Sequence, residues 1–200
     1  IKKSVVEVAE TLAISVVLVI IIIFLFFRDW SIAFRPLIDI PVSLIATFFI
    51  MYLCGFSINV LTLLAIVLAT GLVVDDGIVV TENIFKKVEE GMSPIEAAIK
   101  GSNEIFFAVI SISVTLAAVF FPILFLEGFV GRLFREFGVV IGAAVLISAF
   151  VSLTLPPMLN AYLMKGGEQK QTKFYEATEP FFVSLNSGYA NSLTKFLKRK

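Results

Sequence analysis

The sequence predicts an all-α membrane protein: a bundle of five transmembrane helices followed by a C-terminal amphipathic helix at the membrane interface. Composition is the broadest reason. Of 200 residues, 58% are hydrophobic and 16% charged, where a soluble domain carries about 25% charged residues. The mean hydropathy is +0.99, and 21 phenylalanines are scattered through the apolar runs. The second reason is arrangement, because the apolar residues collect into five stretches, with few charges among them, long enough to span lipid. The third is the change of pattern after Pro180, where apolar positions recur at helical spacing against a polar face.

The same numbers exclude several functions. A net charge of zero gives no bulk attraction for nucleic acid, and no nucleic-acid partner is expected. Histidine is absent and Cys54 is the single cysteine, so no disulfide framework, zinc centre or histidine-based catalytic triad is expected. No catalytic residue and no metal ligand is expected from these counts. It begins Ile1-Lys2-Lys3 without an initiator methionine and ends in a basic tail as a helical pattern runs out. It is therefore expected to be a piece of a larger protein.

The first span covers about 8–27 and stops at Arg28-Asp29-Trp30, a charged and aromatic interface signature. Arg35-Pro36 opens a short connection to the second span, 37–54, with Pro41 near its start, where proline is tolerated. Asp39, in its first turn, reads as an interfacial carboxylate favoured by the helix N-terminus. Gly55-Phe56-Ser57-Ile58-Asn59 forms a tight uncharged turn, and the third span follows over 60–85. Lys86 to Gly91 is expected in water. Ser93-Pro94-Ile95-Glu96 reads as a capping box with proline at the first helical position, opening an amphipathic helix that runs to Glu104.

The fourth span is 105–126, with Pro122 near its end. Glu127 to Glu136 is expected to be a polar loop containing Gly128 and Gly131. The fifth span, 137–164, exceeds one crossing and is expected to tilt or to kink at Pro156-Pro157. Residues 165–179 form a hydrophilic linker, and 180–200 the interfacial helix closed by Lys195, Lys198, Arg199 and Lys200. One set of loop ends receives Arg28, Arg35, Lys86, Lys87, Lys100, Lys165, Lys170, Lys173 and the basic tail. The other set receives Lys2, Lys3, Arg132 and Arg135. The richer side belongs in the cytoplasm, which puts the N-terminus of the chain outside and the C-terminus inside.

Asp75 and Asp76 interrupt the third span near its middle. A charged side chain at the centre of a membrane helix costs about 2.5–3.5 kcal/mol on insertion scales. Burial and mutual repulsion both oppose a doubly ionised pair, and membrane helices have cheaper ways of holding together. Adjacent residues on a helix point about 100° apart, so one carboxyl must reach a partner on another helix while the other faces elsewhere. Every Lys and Arg lies in a loop, at a span end or in the tail, so a neutralising cation is expected from a part of the protein outside this chain or from another subunit. The pair is expected to carry protons. An intramembrane aspartyl protease needs two carboxyls facing each other, which neighbours on one helix cannot manage. A cation channel would present a ring of acids around a pore and would conduct without coupling.

The run Gly-Leu-Val-Val-Asp-Asp-Gly-Ile-Val-Val-Thr-Glu-Asn from Gly71 resembles the fourth-helix signature of resistance-nodulation-division (RND) efflux transporters. The turn from Gly55, Phe120-Phe121-Pro122, and Leu133-Phe134-Arg135-Glu136-Phe137 resemble the neighbouring family segments, in the same order. The doubled Asp is similar to the hydrophobe/amphiphile multidrug exporters; metal-ion exporters typically keep one acid there. A metal-ion exporter or a protein-export motor is the nearest alternative within the family.

The resemblance implies a twelve-helix protomer in two repeats, of which this chain supplies the second to sixth spans. It implies proton/substrate antiport driven by the proton motive force, with no cofactor, in the bacterial inner membrane. It further implies a homotrimer working with a periplasmic adaptor and an outer-membrane channel, surrounded by membrane lipid. Asp75 and Asp76 match the family's proton-relay pair, which is answered by a Lys from the second half. Glu82 and Asn83 match a recurrent Glu-Asn and are possible accessory positions, with an interfacial polar role as the plainer reading.

Overall fold

The computed structural model describes residues 2–27, 30–164 and 173–198. Seven α-helices lie among them: α1 Lys2–Phe27, α2 Trp30–Leu37, α3 Asp39–Leu53, α4 Val60–Glu89, α5 Pro94–Phe120, α6 Gly128–Leu163 and α7 Lys173–Leu197. A 3-10 turn, Phe121–Phe125, follows α5 at Pro122, where the ring lacks an N–H and cannot continue the ladder. The helices α4, α6, and α5 with its 3-10 turn are each long and apolar enough to cross a membrane by length and composition.

The helix α4 is the hub, packing against α1, α2, α3, α5 and α6. Its start is fixed by Asn59, whose side chain accepts from the Leu61 and Thr62 amides while the Asn59 amide donates to Thr62 Oγ1. Asn59 Nδ2 also donates to Glu136 Oε2 at 2.8 Å, tying the head of α4 to α6. From there the buried face follows the helical period: Thr62, Ala65, Ile66, Ala69, Val73, Asp76, Val80 and Ile84. Ala69 and Val73 meet Ala144 of α6, all fully buried. Small side chains let two backbones approach where packing, not water exclusion, must hold helices together.

The opposite faces are strongly apolar and exposed, for example Ile45, Leu64, Phe107 and Phe150. That surface suits lipid or further helices and not water. The hydroxyls inside the bundle are largely satisfied by their own helix: Thr47, Thr70 and Ser113 each donate to the carbonyl four residues back.

Four sequence expectations change. Arg35-Pro36 does not open a connection but lies in α2, and Arg35 is buried. Lys87 is not in water but buried at the end of α4, paired with Glu104 of α5 at 2.7 Å. The stretch from Gly128 to Glu136, expected as a loop, forms the first turns of α6. The reversal before it leaves no room for a side chain at Gly131, whose Cβ would overlap the Leu126 carbonyl. The helix α6 then runs through Pro156 and Pro157 to Leu163. The C-terminal helix begins at Lys173, so Pro180 lies inside it; residues 165–172 of the expected linker lie outside the described residues.

Candidate functional site: the acidic pair of α4

Residues 75 and 76 sit on either side of the boundary between the packed and open faces of α4. Asp76 falls in the buried stripe at 7% exposure, whereas Asp75 is exposed. The angular separation expected for neighbours on a helix therefore sorts the two carboxyls into different surroundings. Gly77 beside them is buried, as are Val73 and Val74 one turn back.

Asp76 Oδ2 accepts from Ser113 Oγ of α5 at 3.4 Å and from Ser148 Oγ of α6 at 3.3 Å. Each serine has a second, shorter contact. Ser113 Oγ lies 2.9 Å from the Val109 carbonyl and Ser148 Oγ 2.9 Å from the Val73 carbonyl. Ser148 thus joins α6 to the backbone of α4 within one turn of the acid. A hydroxyl is donor and acceptor, so this pair of serines can serve either an ionised or a neutral Asp76 by rotating.

One helical turn beyond, a second polar cluster crosses three helices. Arg35 of α2 donates through Nη1 to Asn160 Oδ1 at 2.8 Å and through Nη2 to the Leu163 carbonyl at 3.3 Å. Asn160 Nδ2 donates to the Pro156 carbonyl at 2.8 Å and reaches Thr81 Oγ1 of α4 at 3.4 Å. Pro156 and Pro157 leave the carbonyls of Ser152 and Leu153, four residues before them, without an intrahelical amide; Asn160 makes use of the carbonyl of Pro156 itself.

A model of the AcrB/AcrD/AcrF family matches residues 1–200. The chain belongs to the AcrB/AcrD/AcrF family. This is the RND family whose motifs run through the sequence. The curated relatives include the "Multidrug resistance protein MdtC" of Escherichia coli O139:H28, 48% identical over 96% of this chain. The protein of the same name from Klebsiella pneumoniae is 48% identical over 99% of it, and that from Pectobacterium atrosepticum 46% identical over 96%. The chain spans 19% of the length of each of these relatives.

Within this AcrB/AcrD/AcrF chain, the other two positions singled out by sequence part company. Glu82 is exposed. Asn83 donates through Nδ2 to the Gly101 carbonyl at 2.8 Å and so pins α4 to α5. Besides the Arg35–Asn160 cluster, the buried polar residues that escape the sequence reading include Asp39, Ser113 and Ser148. Asp39 of α3, taken as interfacial, is 1% exposed. Ser113 and Ser148 sit in apolar runs, where a lone serine gives no signal until the helices are packed.

Proposed function

We propose that this chain forms the proton-translocating membrane part of a proton-driven multidrug exporter, a proton/substrate antiporter of the RND type. The observation that carries the reading is the division of labour between neighbours. Asp76 is held inside the bundle on hydroxyls from two other helices, while Asp75 points to the open face. An intramembrane acid is a functional residue by default. Here one acid can exchange a proton with rotatable hydroxyls, while its neighbour remains free for a cationic group arriving from the rest of the parent protein.

In this reading a Lys from the second half of the protein answers the pair, and its approach and withdrawal follow protonation. The proton motive force supplies the energy, with no bound cofactor. The whole protein works as a homotrimer in the bacterial inner membrane, with a periplasmic adaptor and an outer-membrane channel. The N-terminus of this chain is periplasmic and its C-terminus cytoplasmic, and α7 lies along the lipid headgroups. Asn83 serves α4–α5 packing in this scheme, and Glu82 is left as the accessory candidate for proton exit.

The test is dye efflux from cells expressing the intact parent, with Asp75→Asn and Asp76→Asn introduced singly at matched membrane levels. Loss of efflux in both is the expected result. Retained efflux in either would remove that residue from the proton path.

A further inference from the structure

Asp39 has no part in the scheme above, yet it is the more deeply buried acid. At 1% exposure, neither of its carboxyl oxygens is hydrogen-bonded within the described residues. One turn along α3, the Ser43 hydroxyl is fully buried and equally unpartnered. Unpartnered buried polar groups are uncommon in folded proteins, and each calls for a specific explanation. The burial is complete within this chain, so it does not await the missing part of the parent.

The level of Asp39 is fixed by the α3–α4 hairpin. Rising at about 1.5 Å per residue from the turn at 54–59, α3 reaches Asp39 after about 22 Å and α4 reaches Asp76 after about 25 Å. The two acids thus stand at the same height on helices that pack together, within electrostatic reach of one another. The elements packed on α3 are α2, α4 and α6. Their buried charged groups are Arg35, engaged by Asn160 and Leu163, Asp76 itself, and Lys87, engaged by Glu104; α6 adds only Ser148, Ser152 and Asn160 as buried polar side chains among the described residues.

We propose that Asp39 is a second proton-binding site, exchanging its proton with Asp76 over water oriented by the Ser43 hydroxyl. This rests on the proton-driven reading. The step moves one proton: an O–H bond on one carboxyl breaks as one forms on the other, and ionised and neutral acid change places. The net charge of the interior is unchanged, so the exchange needs no new counter-ion at that moment. Like-charge repulsion between the acids keeps them from standing ionised together, which makes Asp39 a store for the proton that Asp76 gives up.

The experiment uses the full-length parent in proteoliposomes, with ethidium export driven by an imposed pH gradient, and infrared spectra of the carboxyl C=O region across pH. Asp39→Asn is expected to slow export at least tenfold and to remove one titrating carboxyl band, and Asp39→Glu to restore part of both. Asp76→Asn is expected to shift the midpoint of the Asp39 band, a readout that does not depend on any Asp39 variant folding. Wild-type export and an unchanged pH profile in Asp39→Asn would overturn the proposal, as would a band that never titrates. Export that needs sodium in the wild type but not in Asp39→Asn would overturn it in favour of a cation site. If Asp75→Asn and Asp76→Asn abolish export while Asp39→Asn does not, the second site fails and the relay stands; if the pair variants export normally, it is the relay that fails.

Discussion

Gly101 sets the distance between α4 and α5, and replacing it by alanine is a direct test of that packing. A Cβ at Gly101 would lie 3.0 Å from Ile84 Cγ1, 3.1 Å from Ile84 Cα and 3.3 Å from the Ile84 amide nitrogen. The side-chain carbon can rotate away, but the two backbone atoms cannot, so α5 must retreat by a few tenths of an ångström. Overpacking of this kind costs about 1–3 kcal/mol. The retreat also stretches the 2.8 Å bond from Asn83 to the Gly101 carbonyl, worth about 0.5–1.5 kcal/mol.

Against this stands the helix preference for alanine over glycine, about 0.5–1 kcal/mol. The net expectation for Gly101→Ala is a loss of about 1–3 kcal/mol, read as the midpoint of SDS unfolding of the full-length protein. Ile84→Ala is costly alone because Ile84 is fully buried. Since backbone atoms limit the approach, it should not rescue Gly101→Ala, and the double variant should be less stable than either single one even though the two positions touch. An unchanged midpoint in Gly101→Ala, or a double variant no less stable than Gly101→Ala, would refute the reasoning.

Three further perturbations follow from the same contacts. Asn59→Ala removes the cap of α4 and its bond to Glu136; a loss of about 1–2 kcal/mol is expected by the same unfolding assay, and an Asn59→Asp protein should not recover it, because the new carboxylate faces Glu136. Asn160→Leu strips Arg35 of its 2.8 Å acceptor and should cost about 1.5–3 kcal/mol, the worth of a hydrogen bond to a charged group; proteolysis near α2 under partly denaturing conditions would report it. Ser113→Ala and Ser148→Ala should each leave folding within about 0.6 kcal/mol, the mean for hydrogen bonds between membrane helices. The double variant should lose dye efflux at normal expression, and full efflux in it would show that the hydroxyls are bystanders.

Much of this was legible from the chain, for reasons that can be named. Asp75 and Asp76 stood out because charge inside an apolar run is costly whatever surrounds it, and their divergence follows from helix geometry alone. Ser93 and Pro94 marked the start of α5 because capping is local: Ser93 Oγ accepts from the Glu96 amide and donates to Glu96 Oε2. The failures are tertiary. Arg35-Pro36 reads as a break in sequence, and acceptors offered by α6 take up the buried guanidinium in the fold. With α2 read as a connection, Asp39 falls at an interface; in the fold α3 packs on α2, α4 and α6, and Asp39 is buried. Charges at Arg135 and Glu136 made the start of α6 read as a loop, although Glu136 is held by Asn59 from across the bundle.

The two serines around Asp76 pose a small problem of arithmetic. Between them they own two hydroxyl hydrogens, and three acceptors lie within reach: the Val73 carbonyl, the Val109 carbonyl and Asp76 Oδ2. When the acid is neutral it brings a third hydrogen, and every place is filled. When it is ionised one place goes empty, and the choice falls on the backbone of α4 or of α5. The arrival or loss of a single proton thereby decides whether a hydroxyl stays on the main chain of α4 or of α5, so that the charge of one side chain is tied to the backbone of a helix beside it.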